Sequence, residues 1–169
     1  MKIAVLVLGV LLFISCSYGP GDMIDETIII TLCEEIHKTI DYESDIDIHG
    51  KYEYWQSPEE TLVIGTGDCE DYVILFMSKL HDMGIDSEFG VISYVKRFGI
   101  GYHAVAVVGG VFYDPTMGRY GTVEEICLRA ESCNYLYTLS YAYVMAVSSN
   151  LGTKKVEDFQ TGEQSWEQI

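Results

Sequence analysis

The sequence predicts an α+β domain: N-terminal helices, then a central helix packed on an antiparallel sheet. Apolar residues recur at three- and four-residue steps over residues 28–40 and 69–83, the spacing of buried helix faces. Residues 89–114 switch to β-rich runs punctuated by Gly109-Gly110, a strong hairpin signal. Helices precede a meander of strands rather than alternating with them, which separates α+β from a parallel α/β sheet. With 169 residues, 49% of them apolar, the chain is long enough for one domain with a single core.

The first helix is read from Ile28, Leu32, Ile36 and Ile40, flanked by Ile29 and Cys33, with Asp22 or Asp25 as its cap. This places Cys33 in the core. Residues 41–54 carry Asp41, Glu43, Asp45 and Asp47 at two-residue spacing. They lack the glycine and terminal glutamate of a known calcium loop and are read as a solvated acidic loop. Ser57-Pro58-Glu59-Glu60 starts a short helix, with Ser57 as N-cap, Pro58 at the first position and Glu60 completing a capping box. Gly65 and Gly67 then allow a tight loop.

The helix over 69–83 is apolar through Tyr72, Val73, Phe76, Met77 and Leu80, broadened by Ile74 and Leu75. Gly84 fits the position just past its end, with Ile85 packing back. Strands are expected over 89–95, 103–108 and 111–114, with 96–101 as a loop and Pro115 closing the hairpin. A short helix capped by Thr122 is expected within 122–130, and a long Tyr-rich strand over 135–147. The tail from Ser148 is polar.

The net charge of −16 repels phosphate backbones and argues against a nucleic-acid partner. Mean hydropathy is +0.14. Lys2 and the apolar run of residues 3–14 have the make-up of an export signal and are too short to span a bilayer. The Ser15-Cys16-Ser17 junction resembles a bacterial lipoprotein cleavage site, although Phe13 and Ile14 depart from the usual leucine and small residue. The expected organisation is a leader over 1–15, lipidation at Cys16, a tether over 16–21, a domain over 22–147 and a polar tail over 148–169. The protein would then be an envelope lipoprotein, on the periplasmic side or at the cell surface, held to the membrane by the Cys16 lipid; the alternative is plain secretion. In such a compartment Cys127 and Cys133 are close enough in sequence to pair. No Cys-x-x-Cys pair or His cluster is present to bind structural zinc.

The chemistry concentrates in Gly67-Asp68-Cys69-Glu70-Asp71, His103 and Asp114. A cysteine opening a helix, a strand histidine and a downstream aspartate are the parts of a thiolate nucleophile, its base and the group that orients the base. The helix N-terminus favours a thiolate at Cys69. Asp68, Glu70 and Asp71 oppose it, so His103 must supply the stabilisation. A two-residue turn at Gly109-Gly110 puts residue 105 opposite 114, with His103 on the diagonal from Asp114, within side-chain reach. Taken singly, each residue is more readily structural than catalytic: a small core cysteine, a strand histidine, a turn aspartate. The other histidines are weaker candidates: His37 on a polar helix face, His49 in the acidic loop, His81 near a helix C-terminus.

Trp55-Gln56-Ser57-Pro58-Glu59-Glu60-Thr61-Leu62, Gly67-Asp68-Cys69-Glu70-Asp71-Tyr72, His103-Ala104-Val105 and Tyr113-Asp114-Pro115-Thr116 together resemble the transglutaminase-like superfamily, most nearly bacterial transglutaminase-like cysteine peptidases. The resemblance covers about 55–116 and implies a papain-like fold, with Cys69 as nucleophile, His103 as base and acid, and Asp114 as the orienting group. It also implies oxyanion support near Trp55 or Gln56. No cofactor is otherwise expected. Calcium on Asp68 and Glu70 is the one alternative, taken from calcium-dependent relatives. Val73 replaces the small residue common at its position. The expected activity is hydrolysis of amide bonds in a protein or peptide substrate through a thioester. The alternative is an inactive binding or accessory domain of the same fold.

Overall fold

The computed structural model describes residues 26–96, 99–127, 130 and 132–149. The leader, Cys16, the tether, the Asp22 and Asp25 caps and nearly all of the tail lie outside the described residues. In chain order the elements are α1 (Glu26–Thr39), β1 (Asp41–Tyr42), α2 (Asp45–His49), α3 (Pro58–Ile64), β2 (Thr66–Gly67), α4 (Cys69–Asp82), β3 (Glu88–Lys96), β4 (Gly99–Val108), β5 (Val111–Asp114), β6 (Arg119–Gly121), α5 (Val123–Ile126), β7 (Ser132–Ser140) and α6 (Tyr141–Ser149).

Five strands form an antiparallel sheet in the order β6-β5-β4-β3-β7. One face carries Phe89, Ala104, Ala106 and Tyr113, which join Tyr72 through Met77 and Leu80 of α4 and Ile29, Cys33 and Ile36 of α1 in the main core. The other face carries Ile92 and Val105, covered by Ile126 of α5. Central α4 is apolar almost all round because it lies between the sheet, α1, α3 and α6. Its end follows the sequence: Gly84 takes φ +74°, and the Gly84 and Ile85 N–H groups donate to the His81 and Leu80 carbonyls. No helix among the described residues is long and apolar enough to cross a membrane.

Several expectations are corrected. The run 135–147 is not one strand: β7 ends at Ser140 and α6 begins at Tyr141. Ser140 Oγ accepts the Tyr143 N–H at 3.4 Å, so a serine cap starts a helix in which Val144 is buried. Alternating tyrosines gave the segment a strand-like pattern, whereas its alanines and methionine suit the helix that packs on α4. That helix also carries the folded part to Ser149, past the expected limit of 147. The loop expected over 96–101 is largely strand, because β3 runs to Lys96 and β4 begins at Gly99. The short helix within 122–130 spans Val123–Ile126, with Thr122 as its cap. At α3, Ser57 accepts the Glu60 N–H at 3.2 Å, but the Glu60 carboxylate faces the Tyr54 hydroxyl, so only half of the predicted box forms.

The acidic stretch is not uniformly solvated. β1 pairs in parallel with β2, and Asp45, at the start of α2, is buried with only 2% exposure. Cys127 and Cys133 form a disulfide that ties the end of α5 to β7.

Candidate active site

Cys69 is the first residue of α4 and is held there from three sides. The Asp68 N–H donates to Asp71 Oδ2 at 3.2 Å, closing the first turn. A Cβ on Gly67 would meet Asp71 Cβ at 2.7 Å and Oδ2 at 2.8 Å, so only glycine lets the approaching chain lie against that carboxylate. The parallel β1–β2 ladder, with Asp41 N–H donating to the Gly65 carbonyl and Glu43 N–H to the Gly67 carbonyl, each at 3.0 Å, fixes the loop before Cys69.

The Ala104 backbone N–H of β4 is directed at the Cys69 sulfur and favours its thiolate, one residue from His103. His103 Nε2 lies 2.9 Å from Asp114 Oδ2, with the carboxylate side chain 2% exposed. The contact is close but not aligned as a hydrogen bond. Val108 pairs with Val111 across Gly109 and Gly110, which both have positive φ, so Asp114 falls opposite Val105 and diagonal to His103, as the two-residue turn requires. The Met117 N–H holds the other carboxylate oxygen, Oδ1, at 3.1 Å.

His37 contributes where its exposed position on α1 gave no signal. Its Nδ1 meets the Thr116 carbonyl at 2.8 Å, and Cys33 Sγ of the same helix donates to the Arg119 carbonyl at 3.7 Å. Helix α1 thereby supports the turn that carries Asp114.

Trp55 stacks on Phe89 with ring centres 5.1 Å apart, against the main core. Gln56 is fully buried: its backbone N–H donates to Asp71 Oδ1 at 2.8 Å and its side-chain Nε2 donates to the Thr66 carbonyl at 3.2 Å. That amide therefore braces the strand before the nucleophile.

The electrostatics around Cys69 are acidic. Its thiol donates to Glu70 Oε2 at 2.8 Å. Burial, then the Glu70 and Asp68 carboxylates, push its pKa well above that of an ordinary thiol. Burial also raises Glu70 strongly and Asp68 to a lesser extent, aided at Glu70 by the charge of Asp68. Asp71 is pushed up to about 8 and Asp45 to about 7, in both cases by burial first and then by Asp68. Asp45, Asp68 and Asp71 bring carboxylate oxygens within 4.8 Å of one another. Asp45 Oδ2 accepts the Tyr54 N–H, while Oδ1 is buried with no hydrogen-bond partner. An all-oxygen set with an unsatisfied carboxylate oxygen fits a hard divalent cation. The two calcium candidates taken from the sequence also come together: Asp68 belongs to this trio, and Asp68, Glu70 and the Cys69 sulfur bring ligand atoms within 4.8 Å of one another. Asp45 and Asp71 escaped sequence reading because only folding brings them to Asp68.

Residues 25–112 match the family model of the bacterial transglutaminase-like cysteine proteinases, ending just short of Asp114. The chain belongs to that family. Among solved structures, LapG of Legionella pneumophila superposes with a TM-score of 0.53 at 18% identity, over 68% of this chain and 65% of that one. A calcium-bound form of the same protein gives a TM-score of 0.54 at 21% identity, over 69% and 66%. The likeness shows a shared papain/transglutaminase-like fold, and this chain spans about two thirds of LapG's length. No curated protein matches the sequence.

Proposed function

We propose that this protein is an exported, lipid-anchored cysteine peptidase that cleaves amide bonds in a protein substrate through Cys69, His103 and Asp114. The observation that carries this reading is the 2.9 Å approach of His103 Nε2 to Asp114 Oδ2 on strands whose next residue, Ala104, meets the Cys69 sulfur. Membership of a cysteine proteinase family supports it.

In the proposed reaction, His103 takes the thiol proton and the sulfur attacks the substrate carbonyl carbon. The oxyanion is met by the Cys69 backbone N–H, free of intrahelical bonding at the first helical position, with Trp55 as the candidate second donor. His103 then protonates the departing amine, the C–N bond breaks and a thioester to Cys69 remains. Water, deprotonated by His103, attacks the thioester and releases the carboxylic acid and the thiol. Asp114 holds the imidazole and stabilises its protonated form. Cys16 supplies the membrane anchor through its lipid.

Asp45, Asp68 and Asp71 would hold calcium, as the charge and unsatisfied oxygen of the cluster favour. Bound there, the cation would offset the negative charge facing the thiol. One observation favours the alternative, an inactive binding domain: the thiol is held protonated against Glu70. Cleavage of a protein substrate, compared with Cys69→Ala and with calcium removed, tests the reading. Undiminished cleavage by Cys69→Ala overturns it.

A further inference from the structure

The β4 strand is longer than its neighbour. It pairs with β3 from Gly99 to Val107, whereas β5 covers it only up to the position opposite Asp114. Both hairpins that bound β4 fix which way its backbone points. Val108 and Val111 flank a two-residue turn, so the N–H and C=O of Val108, and hence of Ala106, point toward β5. Lys96 and Gly99 close the other hairpin, so the odd-numbered residues of β4 point toward β3. The two constraints agree. The backbone groups of Ile100, Tyr102 and Ala104 therefore face the side away from β3.

Along that side Ala104 directs its N–H at the Cys69 sulfur. The sulfur therefore lies beside this edge of β4. Beyond it, the N–H and C=O groups of Tyr102 and Ile100 meet no strand among the described residues. The two residues are 60% and 68% exposed. The strand that could have covered them stops at Asp114, where Pro115 follows, a residue with no N–H to continue a ladder.

We infer that the Ile100–Tyr102 edge of β4 is the docking strand for the substrate, which adds to the sheet as an extended chain and is carried along the edge to Cys69. This deepens the proposed peptidase function and rests on it for the identity of the occupant. The occupant is a stretch of substrate outside regular secondary structure, because residues in a helix or a central strand already have their backbone groups paired. Affinity comes from main-chain hydrogen bonds, so this part of the substrate is read with little regard to its side chains. The edge runs directly into the nucleophile, which places the bond to be cleaved at the end of the added strand.

The test uses the full chain in calcium-containing buffer and two reagents with the same reactive group: N-acetyl-trialanyl chloromethyl ketone and its backbone N-methylated analogue. Alkylation of Cys69 is read by mass spectrometry, with iodoacetamide as the reference for intrinsic thiol reactivity. Trialanine is chosen because its small side chains leave the backbone to do the binding. The unmethylated reagent should label about tenfold faster, the worth of one to two net hydrogen bonds. Tyr102→Pro removes an outward N–H without touching the β3 ladder, a position where proline is tolerated. It should keep the melting temperature and the iodoacetamide rate while slowing the unmethylated reagent several-fold, because residue 102 no longer donates to the reagent's carbonyl. Tyr102→Ala should retain the ratio. Equal rates for the two reagents in the wild-type protein overturn the inference even if Tyr102→Pro fails to fold. So does an unmethylated-reagent rate unchanged in a folded Tyr102→Pro. If the iodoacetamide profile ignores His103, the catalytic reading falls, while the reagent ratio still reports on the edge.

Discussion

Asp114 Oδ2 stands 2.9 Å from His103 Nε2, and this contact is set by backbone register rather than by local sequence. The two residues sit on neighbouring strands joined by the Gly109-Gly110 turn, and one residue of slip would put them on opposite faces. The carboxylate is fixed in turn by the Met117 N–H on its other oxygen. The carboxylate beside the imidazole is thus fixed in place before any substrate arrives.

Asp114→Asn should keep the shape of the turn and remove the charge that stands 2.9 Å from His103 Nε2. The rate of Cys69 alkylation near neutral pH should fall roughly tenfold, the scale of losing an interaction with a charged partner. The pH dependence of Cys69 alkylation in the variant measures this, and an unchanged profile would remove Asp114 from the triad.

Glu70 accepts the Cys69 thiol proton at 2.8 Å and is, after burial, the largest influence raising its pKa. Glu70→Gln should therefore speed alkylation of Cys69 in calcium-free buffer, by roughly tenfold, the scale of removing one adjacent negative charge. A slower reaction would mean that Glu70 assists the thiol instead.

The buried acids set a pH dependence of stability. Asp45 and Asp71, with pKa values raised to about 7 and about 8, keep protons in the folded protein that the unfolded chain has already released. The native state then binds more protons between about pH 4 and about pH 8, so stability falls as pH rises through that window. Without divalent cations the melting temperature should be higher at about pH 5 than at about pH 8, and calcium should recover the loss at the higher pH. Scanning calorimetry with and without chelator checks both; a flat profile at both pH values would show that the trio is neither strained nor a cation site.

Much of this was legible in the chain and some was not. The hairpin at Gly109-Gly110 fixes a register, so the His103–Asp114 diagonal could be worked out from spacing alone. The face and C-terminal stop of α4 follow from Leu80, Gly84 and Ile85. The break at Ser140 was hidden, because Tyr141, Tyr143 and Met145 alternate like a strand until tertiary packing on α4 decides for helix. Asp45 looked like one of four solvated acids, since nothing local says which of them faces inward. His37 sat on a face read as polar, and only the return of the chain at Thr116 and Gly118 gives its ring a partner.

Gln56 ties two parts of the site together through Thr66 and Asp71. Gln56→Ala should leave the Thr66 carbonyl without its side-chain donor in a buried site and open a cavity, costing about 2–3 kcal/mol of stability. Urea unfolding gives the number, and a loss below about 0.5 kcal/mol, the range of ordinary surface substitutions, would show the amide to be dispensable.

The most direct test of the central claim is the pH dependence of iodoacetamide modification at Cys69, in calcium, for the wild-type protein and His103→Ala. A thiolate–imidazolium pair predicts fast alkylation with an inflection well below the ~8.5 of a free thiol, lost in the His103 variant. Slow alkylation with the same ordinary-thiol profile in both proteins would contradict it and leave Cys69 without its base.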